Sequence, residues 1–319
     1  MFETRITKML GIKYPIQCGT MMYLSNAEFV AANANAGILA CLASAMYPDA
    51  QALRDEIAKL RDLTDQPFGV NVSLFPGHSA VVVDQVLDIL AEQQVRLVET
   101  AGRSPEPHRA RIRQAGFIHL HKCARLRDAL KAQALGVDIV AVVGAECGGH
   151  PSMDEVTTMV LAPQVAAALD IPVIAGGGFC DGRSLVAGLA LGAEAVLMGT
   201  RFLNTVECPA HQAIKGKLIQ AQSEQTLIVQ KSIGSAVRVL DNDWARQVLA
   251  LEEKKVPLRD LMPYITGQRT KNSWLNGGDD ALIACGQVVG RTKETLSVRQ
   301  LVAQIMDEAR TVLTGLTQG

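Results

Sequence analysis

The order of apolar and amphipathic segments is the feature that most restricts the fold of this chain. Eight short apolar runs alternate with longer stretches of helical periodicity over residues 14–200. The runs predicted as strands are 14–19, 38–44, 68–74, 95–102, 117–123, 137–144, 171–178 and 193–200. Strict alternation of strands and helices indicates a parallel sheet, and eight such units indicate an α/β fold of the closed (β/α)8 type, a TIM barrel.

An open, doubly wound sheet is the alternative that the same alternation allows. That fold places a glycine-rich dinucleotide motif directly after its first strand. The corresponding stretch here, QCGTMMYLSN (17–26), has a single glycine and no GxGxxG pattern. The sequence therefore favours the barrel.

About 90 residues separate the eighth predicted strand from the last amphipathic helix. Helical patterns at 210–222 and 242–255 occupy much of this stretch, and a looped segment follows them. We predict a barrel formed by 1–205 and 296–319, with a smaller helical module, 206–295, that caps the barrel mouth.

Composition excludes several function classes. The chain has 319 residues and a net charge of −1, so no surface for nucleic acid is expected. Its seven cysteines are odd in number and form no CxxC pair, which argues against a disulfide framework and against a metal site. No apolar run reaches the ~18 residues of a membrane span, and no secretory signal is visible. A cytoplasmic protein is the expectation.

In a TIM barrel the active site lies at the carboxyl ends of the strands. The residues that the sequence puts there are Gly19, Thr20, Met21, Asn71, Glu99, Thr100, His121, Lys122, the loop Gly144–Glu155, Gly176–Gly178, Gly199 and Thr200.

The glycines after strands seven and eight predict a phosphate site. Glycine lets backbone N–H groups approach a phosphate, and a helix that begins next to it favours the anion. A tight turn needs fewer glycines than the three consecutive ones at 176–178. The phosphate could belong to a sugar phosphate, to pyridoxal phosphate or to FMN.

Asn71 and Lys122 are the candidates for binding a polar ring. An amide and a cation suit the carbonyl and N–H groups of a pyrimidine-like edge, and a cation stabilises a reduced flavin. Lys122 could equally form a Schiff base, or face solvent at a helix start.

The stretch GAECGGHPSMDE (144–155) follows the sixth strand and contains His150. A histidine titrates near neutral pH and suits proton transfer, although it could also cap backbone groups. Glu146 is interpreted as a support that caps backbone N–H groups, and Cys147 as a small packing residue.

These motifs together resemble the nitronate monooxygenase (2-nitropropane dioxygenase) family of FMN-dependent barrels. The resemblance extends over nearly the whole chain. It is carried by the segments GAECGGHP, PVIAGGGFCDGRSLVAGLALGAEAVLMGTRFL, YPIQCGTM, PFGVNVSL and HKC, and by the tail GQRT…NGGDDALIACGQVVG. The same broad family includes NAD(P)H:quinone reductases and FMN-dependent enoyl-acyl carrier protein reductases.

The resemblance implies a role for each site residue. Gly19, Thr20 and Met21 would contact the flavin ring, and Asn71 and Lys122 would hold the polar edge of that ring. Gly149 would lie along the cofactor, and its phosphate would be bound by Gly177, Gly178, Gly199 and Thr200. His150 would be the catalytic residue.

Two functions follow as expectations from this resemblance. The first is oxidation of alkyl nitronates by O2, in which His150 is a base that takes the α-proton of a nitroalkane or else holds the nitro group of the nitronate. The alternative is an NAD(P)H-dependent FMN reductase of quinones or enoyl thioesters. The expected partners are a small-molecule substrate and O2, with NAD(P)H and a homodimer as further options.

Overall fold

The chain forms the predicted eight-stranded parallel barrel. The computed structural model describes residues 2–75 and 79–317. The barrel strands are β1 Ile16–Cys18, β2 Cys41–Ala43, β3 Gly69–Ser73, β4 Leu97–Ala101, β5 Ile118–Cys123, β6 Ile139–Val143, β7 Val173–Gly176 and β8 Ala195–Met198. Each lies within a predicted run, so the (β/α)8 prediction is confirmed.

The strands are hydrogen-bonded in the order β1-β8-β7-β6-β5-β4-β3-β2. A parallel bridge between Gln17 and Leu39 joins the two ends of this sheet. There the Cys18 N–H donates to the Leu39 carbonyl at 2.8 Å, and the Leu39 N–H donates to the Ile16 carbonyl at 3.0 Å. The barrel is therefore closed.

Fourteen α-helices accompany the strands within the described residues. They are α1 Arg5–Leu10, α2 Ala27–Asn35, α3 Ala50–Leu63, α4 Val83–Glu92, α5 Arg109–Gln114, α6 Leu126–Ala134, α7 Thr158–Ala168, α8 Gly182–Ala190, α9 Thr200–Leu203, α10 Gln212–Gln220, α11 Asp243–Glu253, α12 Leu258–Leu261, α13 Gly267–Asn276 and α14 Val298–Thr317. Side chains suited to capping begin several of them: Asn26, Asp49 and Asp181 each accept a backbone N–H of the first turn.

Strand alternation divides the barrel residues between an inner and an outer core. Ile139 and Ala141 of β6 belong to the inner cluster, which also contains Ile6 of α1. Val140 and Val142 of β6 pack outward, against α6 and α7. Because α1 fills the amino-terminal end of the barrel with apolar side chains, the polar inward positions are left at the carboxyl end.

The segment 206–295 is not purely helical. Besides α10–α13 it contains an antiparallel pair, β9 Thr226–Val229 and β10 Val237–Leu240. The residue pattern did not predict this pair, because its two strands stand outside the strand–helix alternation of the barrel. The connection between them has left-handed backbone at Gln230, φ 65°, and at Gly234, φ 69°.

Residues 1, 76–78, 318 and 319 of the predicted barrel segments lie outside the described residues. Within the described part of the chain, no helix is long and apolar enough to cross a membrane.

Candidate active site

A cavity of about 900 Å³ opens at the carboxyl ends of the barrel strands. The segment 206–295 contributes walls to it, among them Val237, Trp274 and Gly286. The residues to which the family resemblance assigns a catalytic or cofactor-binding role all line this one cavity: Gly19, Thr20, Met21, Asn71, Lys122, Gly149, His150, Gly177, Gly178, Gly199 and Thr200.

Strand register explains how distant residues meet on the inner wall. Asn71 of β3 lies directly opposite Glu99 of β4. Glu99 pairs in turn with Leu120 of β5, so Lys122 follows one inward position higher. All three residues were predicted at the carboxyl ends of strands, and in the closed barrel their side chains face one another.

Glu99 is the centre of this polar cluster. Its side chain is fully buried. It accepts hydrogen bonds from Gln17 Nε2 at 2.5 Å, Asn71 Nδ2 at 2.5 Å and Thr20 Oγ1 at 2.9 Å, and Lys122 Nζ lies 3.8 Å away.

The loop that carries His150 is fixed at both ends. Glu146 accepts the Thr158 backbone N–H at 2.9 Å and the Thr158 hydroxyl at 3.0 Å, at the start of α7. This is the capping role interpreted for Glu146 from the sequence. On the other side, Gly149 and Arg238 of β10 exchange backbone hydrogen bonds of 3.1 and 2.7 Å.

The Arg238 side chain reinforces that contact. It is buried, and its Nε donates to the Ala145 carbonyl at 3.1 Å. One terminal nitrogen donates to Thr226 Oγ1 at 2.9 Å. The unpredicted β9–β10 pair therefore braces the His150 loop from the far side of the cavity.

His150 is exposed at the cavity rim. Its ring centroid lies 5.4 Å from that of Phe75, with the two planes tilted by 38°. An imidazole at this position is accessible to a substrate that enters the cavity.

The glycines after β7 adopt a backbone that suits a ligand. Gly177 and Gly178 have φ of 96° and 85°, in the region that side chains rarely adopt. Neither donates a backbone hydrogen bond within the described part of the chain. Their N–H groups are therefore available to an anion, with α8 beginning a few residues later.

Cys147 does not suit nucleophilic chemistry. Burial raises the pKa of its thiol to about 12, so the reactive thiolate is not populated at neutral pH. The packing role interpreted from the sequence agrees with this.

His121 neighbours Lys122 on β5, so strand alternation puts the two side chains on opposite faces of the strand. His121 is buried, although it also lines part of the cavity. The Thr100 hydroxyl lies 2.8 Å from its Nδ1 and 2.7 Å from His119 Nε2. Burial lowers the pKa of both histidines to about 4, so both rings are neutral at pH 7.

Two residues of the site were given no function from the sequence. Glu99 was placed at the carboxyl end of its strand, and a charged residue in an otherwise apolar strand was the sequence feature that could have indicated a function. Arg238 gave no local signal, because its importance depends on a contact with a loop 89 positions away, at Gly149. The described residues contain no group of three or more side chains that could hold a metal ion.

Comparison with known proteins identifies the family. A family model described as nitronate monooxygenase matches residues 3–93 and 75–308. The chain belongs to the nitronate monooxygenase family. This confirms the family predicted from the sequence motifs.

Similar proteins within this family carry different names. A (3aS,4S,5R,7aS)-5-hydroxy-7a-methyl-1-oxo-octahydro-1H-indene-4-carboxyl-CoA dehydrogenase of Rhodococcus jostii is 36% identical over 76% of this chain and 66% of that protein. This chain thus spans slightly less than two thirds of that relative. A probable nitronate monooxygenase of Bacillus subtilis is 29% identical over 89% of this chain and 92% of its own length.

Solved structures share the whole fold. FabK from Thermotoga maritima has a TM-score of 0.91 and 31% identity over 99% of both chains. A nitroalkane oxidase from Streptomyces ansochromogenes has a TM-score of 0.82 and 27% identity, covering 98% of this chain and 99% of that one.

Proposed function

We propose that this chain is an FMN-dependent nitronate monooxygenase that oxidises alkyl nitronates with O2. The observation that carries the proposal is that eleven residues, predicted from their places near strand ends and from the family resemblance, line one cavity. FMN, when bound, accepts electrons from the substrate and passes them to O2.

The cavity fits FMN in size and in chemistry. Its volume lies within the ~300–1,000 Å³ typical of small-molecule sites. A Cβ added at Gly149 or Gly199 would meet no protein atom within 4 Å, so both backbones border open space. Gly177, Gly178, Gly199 and Thr200 would hold the phosphate, Asn71 and Lys122 the polar edge of the ring, and Gly19, Thr20 and Met21 its neighbouring face.

Flavin titration tests the assignment of the cofactor. We expect FMN to bind at least ~10-fold more tightly than riboflavin, because only FMN carries the phosphate that the glycine backbone and helix start would bind. Quenching of flavin fluorescence measures both dissociation constants. Equal affinities for FMN and riboflavin would contradict the phosphate site.

His150 is proposed to move a proton at the cavity rim. A ring nitrogen of neutral His150 would take the α-proton of a nitroalkane, which converts it to the nitronate. His150→Gln should then lower kcat/KM for the neutral nitroalkane by ~10²–10⁴-fold. The preformed nitronate needs no such proton transfer, so its kcat/KM should fall much less.

A matched control is His108→Gln, since His108 pairs with Asp84 on the outside of the barrel. It should leave both kcat/KM values unchanged. If His150→Gln lowers the two kcat/KM values equally, His150 contacts the substrate without acting as the base.

Two observations favour the second candidate, NAD(P)H-dependent reduction of quinones or enoyl thioesters through the same FMN. The FabK structure matches the chain over 99% of its length, and the Rhodococcus relative is named as a dehydrogenase of a carboxyl-CoA. A carboxyl-CoA is a thioester, so the name of that relative bears on a thioester more than on a quinone.

Anaerobic rapid mixing separates the two candidates. We expect an alkyl nitronate to bleach the oxidised flavin band faster than NADH or NADPH does. The opposite order would reject the monooxygenase and favour the reductase. Bleaching by neither donor would reject both.

A further inference from the structure

Glu99, a buried residue that contacts three residues of the cavity lining, has no part in the proton transfer described above. Its carboxylate is fully buried and joins three inward-facing donors with an ammonium group. Two of the three donors, Asn71 and Thr20, line the cavity with Lys122.

We propose that Glu99 is a positioning residue that sets which atoms of the cavity wall donate and which accept hydrogen bonds. The inference rests on the proposed function, because the group that would read this pattern is the pyrimidine edge of FMN. It assigns Glu99 no contact with the ring.

The chemistry of a carboxylate fixes the orientation of its partners. An ionised carboxylate accepts hydrogen bonds and donates none. Asn71 must therefore turn Nδ2 toward Glu99, at 2.5 Å, which leaves Oδ1 as its acceptor for another group. Thr20 uses its single hydroxyl hydrogen on Glu99, so Oγ1 retains only acceptor lone pairs.

Lys122 differs from those two because an ammonium group has three N–H donors. At 3.8 Å from Glu99 it is attracted to the carboxylate and keeps donors for other partners. The wall thus offers acceptors at Asn71 and Thr20 beside a cationic donor.

That pattern complements the polar edge of an isoalloxazine. The edge presents the N3–H donor between the carbonyl oxygens O2 and O4. An N–H requires an acceptor, which Asn71 Oδ1 or Thr20 Oγ1 can supply, and a carbonyl requires a donor, which Lys122 can supply. Without Glu99, the Asn71 amide could turn and present Nδ2 to N3–H, donor against donor.

Gln17 completes the arrangement from below the cavity. It is fully buried, and its Nε2 donates to Glu99 at 2.5 Å. Because it is absent from the cavity lining, it contacts Glu99 without competing for the ring. Four inward-facing residues from β1, β3 and β5 and from the loop after β1 therefore surround one carboxylate of β4.

The test compares FMN with 3-methyl-FMN, in which a methyl group replaces the N3 hydrogen. Fluorescence quenching gives both dissociation constants for the whole protein. We expect the wild type to prefer FMN by about 10-fold, as one buried hydrogen bond predicts. In Glu99→Gln the new amide can donate as well as accept a hydrogen bond, so it no longer requires Asn71 to turn Nδ2 toward it. The preference for FMN should then fall to about 2-fold or less.

The midpoint potential of bound FMN is a second measurement. Glu99→Gln removes a negative charge near Lys122, so the anionic reduced ring becomes more stable and the potential should rise. Glu194→Gln, a carboxylate that binds Arg5 at the opposite end of the barrel, is the control and should change neither the preference nor the potential.

The double variant Asn71→Ala/Thr20→Val keeps the test decisive if Glu99→Gln does not fold, because it removes both proposed acceptors directly. Loss of the FMN preference in that variant supports the proposal. A full preference in either variant overturns it, as does a wild type that binds FMN and 3-methyl-FMN equally. Failure of the wild type to bind FMN at all would instead reject the proposed function.

Discussion

At the scale of single residues, burial decides which titratable groups are chemically active. His150 is exposed at the cavity rim, whereas His119 and His121 of β5 are only 4% and 5% exposed. Strand alternation puts His119 and His121 on one face of β5 and Lys122 on the other. His150 lies in a loop, to which this alternation does not apply.

The two buried histidines predict a specific dependence of stability on pH. Burial lowers the pKa of each from 6.5 to about 4, so between these values the folded chain binds fewer protons than the unfolded chain. Their contribution to the free energy of unfolding is full above pH 6.5 and is lost as pH falls toward 4. The loss is on the order of 3 kcal/mol for each histidine.

Urea unfolding at a series of pH values from about 7.5 to about 4.5 measures this dependence, because that range covers most of the interval between the unfolded and the folded pKa. His121→Gln should flatten the slope of unfolding free energy against pH, whatever it does to the stability at pH 7.5. His108→Gln is the surface control and should keep the wild-type slope. An unchanged slope in His121→Gln would mean that its ring is not held neutral in the folded chain.

At the scale of elements, the sequence pattern predicted the eight barrel strands, but it did not predict the contacts that segment 206–295 makes with the barrel. The end of β7 could be predicted because three glycines in a row have few other uses. The β9–β10 pair could not be predicted, since its two strands pair with each other outside the strand–helix alternation, and its bridge to Gly149 joins residues distant in sequence. Local pattern predicts elements, whereas contacts between distant elements depend on the closed fold.

Gly199 allows the proposed phosphate site to be tested without disturbing the fold. Its φ of −98° is open to any residue, and an added Cβ would meet no protein atom within 4 Å. Gly199→Ala should therefore change the free energy of unfolding by less than ~1 kcal/mol. If the phosphate occupies that space, FMN affinity should fall by about 10-fold or more.

Gly216→Ala is the matched control, since Gly216 lies inside α10 and also faces open space. It should stabilise the chain by ~0.5–1 kcal/mol and leave FMN affinity unchanged. If Gly199→Ala binds FMN with wild-type affinity, the phosphate does not lie at the end of β8. Differential scanning calorimetry and fluorescence titration measure the two quantities separately.

Arg238 should control the order of the His150 loop. Replacing it with Met leaves the Ala145 carbonyl and the Thr226 hydroxyl without their buried partner. We expect a loss of ~1–3 kcal/mol in unfolding free energy and faster hydrogen exchange at the Gly149 amide. Turnover should fall mainly in kcat, because His150 would be less well placed rather than removed.

Arg246→Met provides the comparison, since Arg246 pairs with Asp241 on the surface of the same segment. Exchange at Gly149 and kcat should stay at their wild-type values in that variant. Unchanged Gly149 exchange in Arg238→Met would show that the backbone pairing with β10 is sufficient by itself.

At the scale of the whole molecule, the fold followed from the sequence because eight repeats of one unit leave few topologies. The proposed division into a barrel, 1–205 and 296–319, and a module, 206–295, is harder to judge from pattern. Trp274 and Ile283 of the module belong to the same hydrophobic cluster as the barrel residues Phe29 and Phe202. A smaller cluster around Val229, Val239 and Val248 belongs to the module alone.

Contacts between the two parts argue that they unfold together. The Gly286 N–H donates to Thr200 Oγ1 at 2.7 Å, and Asn204 Nδ2 donates to the Thr292 carbonyl at 3.3 Å. With the shared cluster and the Gly149–Arg238 pairing, the module loses much of its buried surface if the barrel opens. We expect one cooperative transition rather than two.

The positions of the tryptophans make this expectation easy to test. Both Trp residues of the chain, Trp244 and Trp274, lie in the module, whereas most helices belong to the barrel. Tryptophan fluorescence therefore reports the module, and far-ultraviolet circular dichroism reports mainly the barrel. The two denaturation curves should coincide for the wild type.

Trp274→Phe sharpens the comparison because it leaves only Trp244, which packs against the module's own cluster. Coincident curves in that variant mean that even this cluster depends on the barrel, and that a single unfolding free energy describes the chain. A fluorescence transition at lower denaturant would show that the module opens first. The wall formed by Val237, Trp274 and Gly286 would then separate from the cavity before the barrel unfolds, and the module would act as a separable cover of the proposed flavin site.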